Sequence, residues 1–170
     1  MLASFLLGLI YFLFAFTTSL LTIYLCFRVV IKITKYDDIA LLNKNNIAVS
    51  IVLTCSFIAM AIMTKNALYP VNAVIQDFVF LSSKNNTEYV YLVVRSLGYL
   101  ILTITLSMSS IASALIIFTK LTHDINEEQE IKNNNIAVGI LLGGVLIAFA
   151  LIIDSGISDF VNSLIPIKDL

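Results

Sequence analysis

Lys44-Asn45-Asn46-Ile47-Ala48-Val49-Ser50-Ile51 and Asn133-Asn134-Asn135-Ile136-Ala137-Val138-Gly139-Ile140 are two versions of one passage, an asparagine run leading straight into a long apolar segment. Each is preceded by its own apolar segment and its own acidic loop, the pattern of an internal duplication. Working outward, Lys32-Ile33-Thr34 matches Lys120-Leu121-Thr122 at an offset of 88, and Asn46-Ile47-Ala48-Val49 matches Asn135-Ile136-Ala137-Val138 at 89. One residue inserted in the second loop reconciles the two. The offset of 88 also pairs Gly8 with Ser96, Tyr11 with Tyr99, Ala15 with Thr103, Ser19 with Ser107 and Thr22 with Ser110.

Composition places the chain in a bilayer. Of its 170 residues 59% are hydrophobic and 12% charged, with a mean hydropathy of +0.99, whereas soluble domains carry about a quarter charged residues. The formal net charge of -1 supplies no basic field for nucleic acid. Cys26 and Cys55 both fall inside apolar segments, where a thiol behaves as a small hydrophobe. No Lys or Arg precedes Arg28, and the first apolar run is too long for a signal peptide; it is expected to be retained as a membrane helix.

Four segments approach the roughly 20 apolar residues needed to cross a hydrocarbon core of about 30 Å. They lie at about 5–30, 47–64, 91–118 and 136–153. The expected fold is an all-α membrane protein with four transmembrane helices, built as two parallel repeats of a helical hairpin, with amphipathic interfacial segments after each repeat. The units are 1–68, an external linker 69–89, and 90–170. Two spans per unit make both units enter from the same side, unlike an inverted repeat. The second and fourth spans are expected to be short, stopping at Lys65 and Asp154.

After Pro70, the residues Val71, Val74, Ile75 and Phe78 recur at helical spacing, as do Ile157, Phe160, Val161, Leu164 and Ile165 near the C-terminus. The first set predicts a short interfacial helix; the second is a similar extension or a continuation of the fourth helix. Asp124 and Glu127 have capping-box spacing, so the second loop is either partly helical or a solvated acidic loop. Arg28, Lys32, Lys35, Lys44, Lys120 and Lys132 lie on the loop side, against Lys65, Lys84, Arg95 and Lys168 on the other. Six against four places the repeat loops in the cytoplasm and both termini outside.

Gly139 and Gly143 form G-x-x-x-G beside Gly144, and Ser50 and Thr54 hold the equivalent places in the second span. Small residues there let helix backbones approach closely. Ser96, Thr103, Ser107 and Ser110 share one face of the third span, and Thr18 and Thr22 fall in the same pattern of spacing in the first. Such hydroxyls either line a narrow water-filled path or, more commonly, hydrogen-bond within and between helices. Lys65, Arg95 and Asp154 lie at the outer ends of the spans, and Asp154 with Arg95 or Lys65 is the candidate ion pair.

His123 has acidic neighbours but stands alone as a metal ligand. No G-x-S-x-G, Walker loop, C-x-x-C or H-E-x-x-H motif is present, so no catalytic, cofactor-binding or metal-binding residue is expected.

Leu121-Thr122, the acidic run from Asp124 to Glu130, Ile131 and Asn135-Ile136-Ala137-Val138-Gly139-Ile140 resemble the DUF350 (UPF0719) family of small bacterial inner-membrane proteins. Its members combine an L-T-x-x-D-x-x-x-E-I type loop with a G-N-x-A-x-A-I helix entrance. Ile33-Thr34, Asp37-Asp38-Ile39 and Asn46-Ile47-Ala48-Val49-Ser50-Ile51 resemble it less fully. Asn134 stands where the family tends to have Gly, and Ser50 and Gly139 where it tends to have Ala. The resemblance covers both hairpins and implies a multi-pass inner-membrane protein; genes of phage-shock or membrane-stress type beside some relatives imply a membrane-stress setting. The leading expectation is an oligomerising scaffold, associating with itself or another membrane protein in the lipid bilayer. The alternative is an ion channel or small-solute transporter lined by the Ser/Thr faces of the first and third helices.

Overall fold

The computed structural model describes residues 2–34, 38–80, 86–121 and 126–164. All the regular structure among them is helical. The long elements are α1 (Leu2–Thr34), α3 (Ile47–Thr64), α5 (Asn86–Leu121) and α7 (Ile136–Leu164). Two short helices, α2 (Asp38–Asn43) and α6 (Glu127–Lys132), precede α3 and α7. A 3-10 turn (Lys65–Leu68) joins α3 to α4 (Tyr69–Phe80). Four helical stretches are long and apolar enough to cross a membrane: Phe5–Thr34, Ile47–Gln76, Thr87–Lys120 and Ile136–Leu164.

These helices form because each is a run of apolar residues in which the backbone must satisfy its own hydrogen bonds once inside lipid. Their boundaries depart from simple hydropathy in two places. The fourth helix does not stop at Asp154: α7 has 29 residues, roughly 43 Å at 1.5 Å per residue, and passes straight through it. The amphipathic stretch at its end is therefore a continuation of the same helix. The second span stops as an α-helix at Thr64, but the chain continues helically through the 3-10 turn into α4, with Pro70 in the first turn of α4, where a missing N–H is tolerated.

The most extensive pairing in the molecule is α3 against α7, followed by α5 against α7 and then α3 against α1 and α5. The core is accordingly made by Val49, Val52, Leu53, Met60 and Met63 of α3 with Leu142, Leu146, Ala150, Ile157 and Val161 of α7, closed by Ile111 and Leu115 of α5. The outward faces are apolar too: Phe5, Phe12, Phe16 and Leu20 on α1 and Ile140, Leu151 and Ile152 on α7 are all exposed, as lipid-facing surfaces are. The Tyr11 hydroxyl donates to the Asn72 carbonyl at 2.9 Å, fixing α4 beside the first half of α1.

Candidate functional site

At both asparagine passages a short helix is stopped and a long one started within three residues. Asn45 and Asn134 have left-handed backbones, with φ of 57° and 62°, a conformation that asparagine accepts more readily than most residues. The Asn45 and Asn46 amides donate to the carbonyls of Leu42 (2.9 Å) and Leu41 (3.1 Å); those of Asn134 and Asn135 donate to Ile131 (3.0 Å) and Glu130 (2.9 Å). Each pair closes the short helix in the Schellman pattern. The next asparagine caps the long helix: the Asn46 Oδ1 accepts from the Val49 amide at 3.0 Å, and the Asn135 Oδ1 accepts from Ala137 at 3.2 Å and Val138 at 3.4 Å.

The two passages also satisfy one another. The buried Asn46 Nδ2 donates to the Ile131 carbonyl at 2.7 Å and the Lys132 carbonyl at 3.3 Å. In return the Asn134 Oδ1 accepts from the Ala48 amide at 3.1 Å. Asn135 differs from Asn46, since its Nδ2 donates to Glu130 Oε2 at 2.6 Å, within its own hairpin.

Beyond this junction α3 and α7 run in close contact. A Cβ added to Gly139 would stand 2.9 Å from the Ala48 Cα and 3.0 Å from its carbonyl oxygen, and one on Gly143 would stand 2.6 Å from the Cys55 Sγ. The α3 residues that meet these glycines are Ala48, Ile51 and Cys55. Ser50 is half-buried, with its hydroxyl on the Asn46 carbonyl at 3.0 Å, and Thr54 is exposed, so the α3 contact is shifted round the helix from the Ser50–Thr54 face. Ala137 and Gly144 face outward.

On the loop side, Ile33, Leu115, Ile116, Ile131 and Leu142 wall a pocket of about 580 Å³ with Lys32, Lys120, Glu127 and Glu128 among its lining residues. Glu127 is 5% exposed, and its Oε1 is enclosed with no hydrogen-bond partner. Glu128 is held by Lys132 at 2.6 Å. The helix carrying these acids starts at Asn126, whose side chain accepts from the Gln129 amide; Asp124 and His123 lie outside the described residues.

Both asparagine junctions lie within stretches that a family model matches. The DUF350 family model, described as a Domain of Unknown Function, matches residues 4–110 and again residues 89–167. The chain belongs to the DUF350 family. No curated protein and no solved structure shows a significant match.

At the far end of this DUF350 chain, Lys65 Nζ lies 3.1 Å from Asp154 Oδ2. The carboxylate is 15% exposed and the lysine 56%, and Asp154 Oδ1 is enclosed without a partner. Arg95 lies over the Tyr91 ring, 5.8 Å from its centroid. The hydroxyl residues are divided. Ser96, Thr103, Ser107 and Thr22 are buried, whereas Thr18 and Ser110 are half-buried. Ser96 donates to Val93 at 3.0 Å, Thr103 to Tyr99 at 2.8 Å, and Ser107 to Thr103 at 2.8 Å and Met63 at 3.5 Å. Thr18, Thr22 and Lys65 line a separate cavity of about 330 Å³ between α1 and α3.

The burial of Glu127 was not legible from spacing, because the helix that carries it packs against α3 and α7, and the pocket that Glu127 lines is walled by residues of α1, α5 and α7. Asn45 and Asn134 carried a weak signal, since asparagine is one of the few residues that accept a left-handed backbone.

Proposed function

We propose that this DUF350 protein is a self-associating scaffold of the bacterial inner membrane, made of two parallel hairpin repeats with their loops in the cytoplasm and both termini outside. The observation that carries this reading is a small-residue face on α7 left open by the fold. A Cβ on Gly144 would meet nothing within 4 Å, and Ala148, one turn on, is exposed as well. Gly139 and Gly143 already serve contact within the chain. A glycine turned toward lipid has no packing role there, whereas two backbones meeting along Gly144 and Ala148 gain close contact.

The repeat is supported by the matching helix-stop and helix-start geometry at both junctions and by the family model fitting twice. Orientation is supported by the six-to-four distribution of Lys and Arg. The amphipathic segments are supported by Val71 and Val74 of α4 and by Ile157 and Val161 of α7, all buried, with Gln76 and Asp159 exposed. No catalytic, cofactor or metal role enters the proposal. Against a channel or transporter stands the internal use of the hydroxyls of Ser96, Thr103 and Ser107, which donate to backbone carbonyls.

The test is native mass spectrometry and cross-linking in mild detergent. Dimers or larger assemblies are expected, reduced to monomer by Gly144→Leu. A wild-type protein that is monomeric and cross-links to no partner overturns the scaffold.

A further inference from the structure

The loop-side pocket combines features that neither a packing void nor a simple basic patch explains. Its walls are aliphatic, Lys32 and Lys120 line it, and it contains a carboxylate that is almost fully enclosed yet has an unpartnered oxygen. A buried, unpaired carboxylate oxygen is costly unless a donor or cation reaches it. Neither lysine forms an ion pair with Glu127 among the described residues. The pocket lies where α1 and α5 end and α7 begins, the level at which lipid headgroups meet hydrocarbon when these helices cross a bilayer.

We propose that this pocket binds the headgroup of an aminophospholipid, with its primary ammonium on Glu127, its phosphate on Lys32 and Lys120, and its glycerol end against Ile33, Leu115 and Leu142. A primary ammonium carries both charge and N–H donors, so it satisfies the Glu127 oxygen by a charge-assisted hydrogen bond; a quaternary ammonium has no N–H to give. An anionic headgroup without a cation would meet the lysines but leave Glu127 unpaired beside a second negative charge. The aliphatic walls favour a lipid over the corresponding free phosphoamine.

Native mass spectrometry of the purified full chain, offered equal amounts of phosphatidylethanolamine, its monomethyl and dimethyl derivatives, phosphatidylcholine and phosphatidylglycerol with identical acyl chains, tests the proposal. Retention is expected to be highest for the primary amine and to fall with each methyl group. Glu127→Gln is expected to lower phosphatidylethanolamine retention by roughly ten- to a hundredfold, the ratio set by one charge-assisted hydrogen bond. Lys32→Gln with Lys120→Gln is expected to reduce retention of both phosphatidylethanolamine and phosphatidylglycerol. Lys44→Gln, on the exposed loop, is expected to change neither. Equal retention along the methylation series overturns the proposal without any variant. So does a folded Glu127→Gln protein that retains the amine lipid as before, or displacement by soluble phosphoethanolamine at equal concentration, which would identify a soluble ligand.

Discussion

The Asn134 side chain accepts from the Ala48 amide at 3.1 Å, so the second hairpin caps the first-turn backbone of the first hairpin's inner helix. Asn45, its counterpart, is exposed as Asn134 is and has the same left-handed backbone, but it is Asn134 that caps the Ala48 amide across the hairpins. The two positions should therefore answer differently to substitution. Asn45→Gly relieves backbone strain and is expected to leave the Tm in detergent unchanged or slightly raised. Asn134→Ala both strains the left-handed position and removes the cap, and should cost about 2 kcal/mol. Equal thermal shifts for the two variants would contradict the cross-hairpin cap.

Gly139, Gly143 and Gly144 of α7 should separate in the same way. Gly139→Ala drives a methyl against Ala48 backbone and is expected to cost roughly 1–3 kcal/mol through overpacking. Gly143→Ala meets the Cys55 Sγ, so Cys55→Ala in the same chain should restore much of the loss. Gly144→Ala meets nothing within its own chain and should leave the fold of the single chain intact, its effect falling on self-association. Heating followed by size-exclusion chromatography reads all three.

Asp154 is the more enclosed partner of its ion pair. Lys65→Gln leaves that carboxylate without its cation and is expected to destabilise the protein by about 1 kcal/mol, a figure held down by the exposure of the lysine. The double variant Lys65→Gln with Asp154→Asn should recover most of the loss. Additive losses in a double-mutant cycle would show that the two groups are not coupled.

Ser107 is fully buried and its hydroxyl reaches Thr103 and Met63 carbonyls. Ser107→Ala is expected to cost only about 0.6 kcal/mol, the usual worth of such a bond in a membrane protein. Ser107→Leu should cost roughly 1–3 kcal/mol by overpacking the contact between α5 and α3. If Ser107→Leu instead folds as stably as wild type, the helices at that level are apart.

The four apolar helices were legible because lipid rewards one property, continuous hydrophobicity, and the start of α3 at Ile47 was legible because Asn46 is a good cap. The length of α7 was not. Asp154 reads as a stop, and the helix continues past it with its carboxylate held by a lysine 89 positions earlier. Sequence alone had no means of choosing between Arg95 and Lys65 as that partner, since both lie near the same end of the spans. The packing face of α3 was displaced for a similar reason: the residue opposite Gly143 is Cys55, not Thr54, a matter of helix rotation that a list of small residues does not encode. Glu127 read as an acid at a helix start in a polar loop, and the packing of that short helix on α3, distant in sequence, and on α7, beyond its turn, is what accompanies its burial.

The reciprocal bonds at the asparagine junctions bear on how the protein is made. Asn46 waits for the carbonyl of Ile131, 85 positions later, and Ala48 for the side chain of Asn134, 86 positions later. A ribosome delivers the first hairpin to the membrane well before either partner exists. That hairpin enters the bilayer as an unfinished object, with a helix entrance still dependent on water or headgroups, and becomes a finished one when the second loop is synthesised. A chain interrupted between the two hairpins thus leaves the Ala48 amide and the Asn46 side chain without these partners.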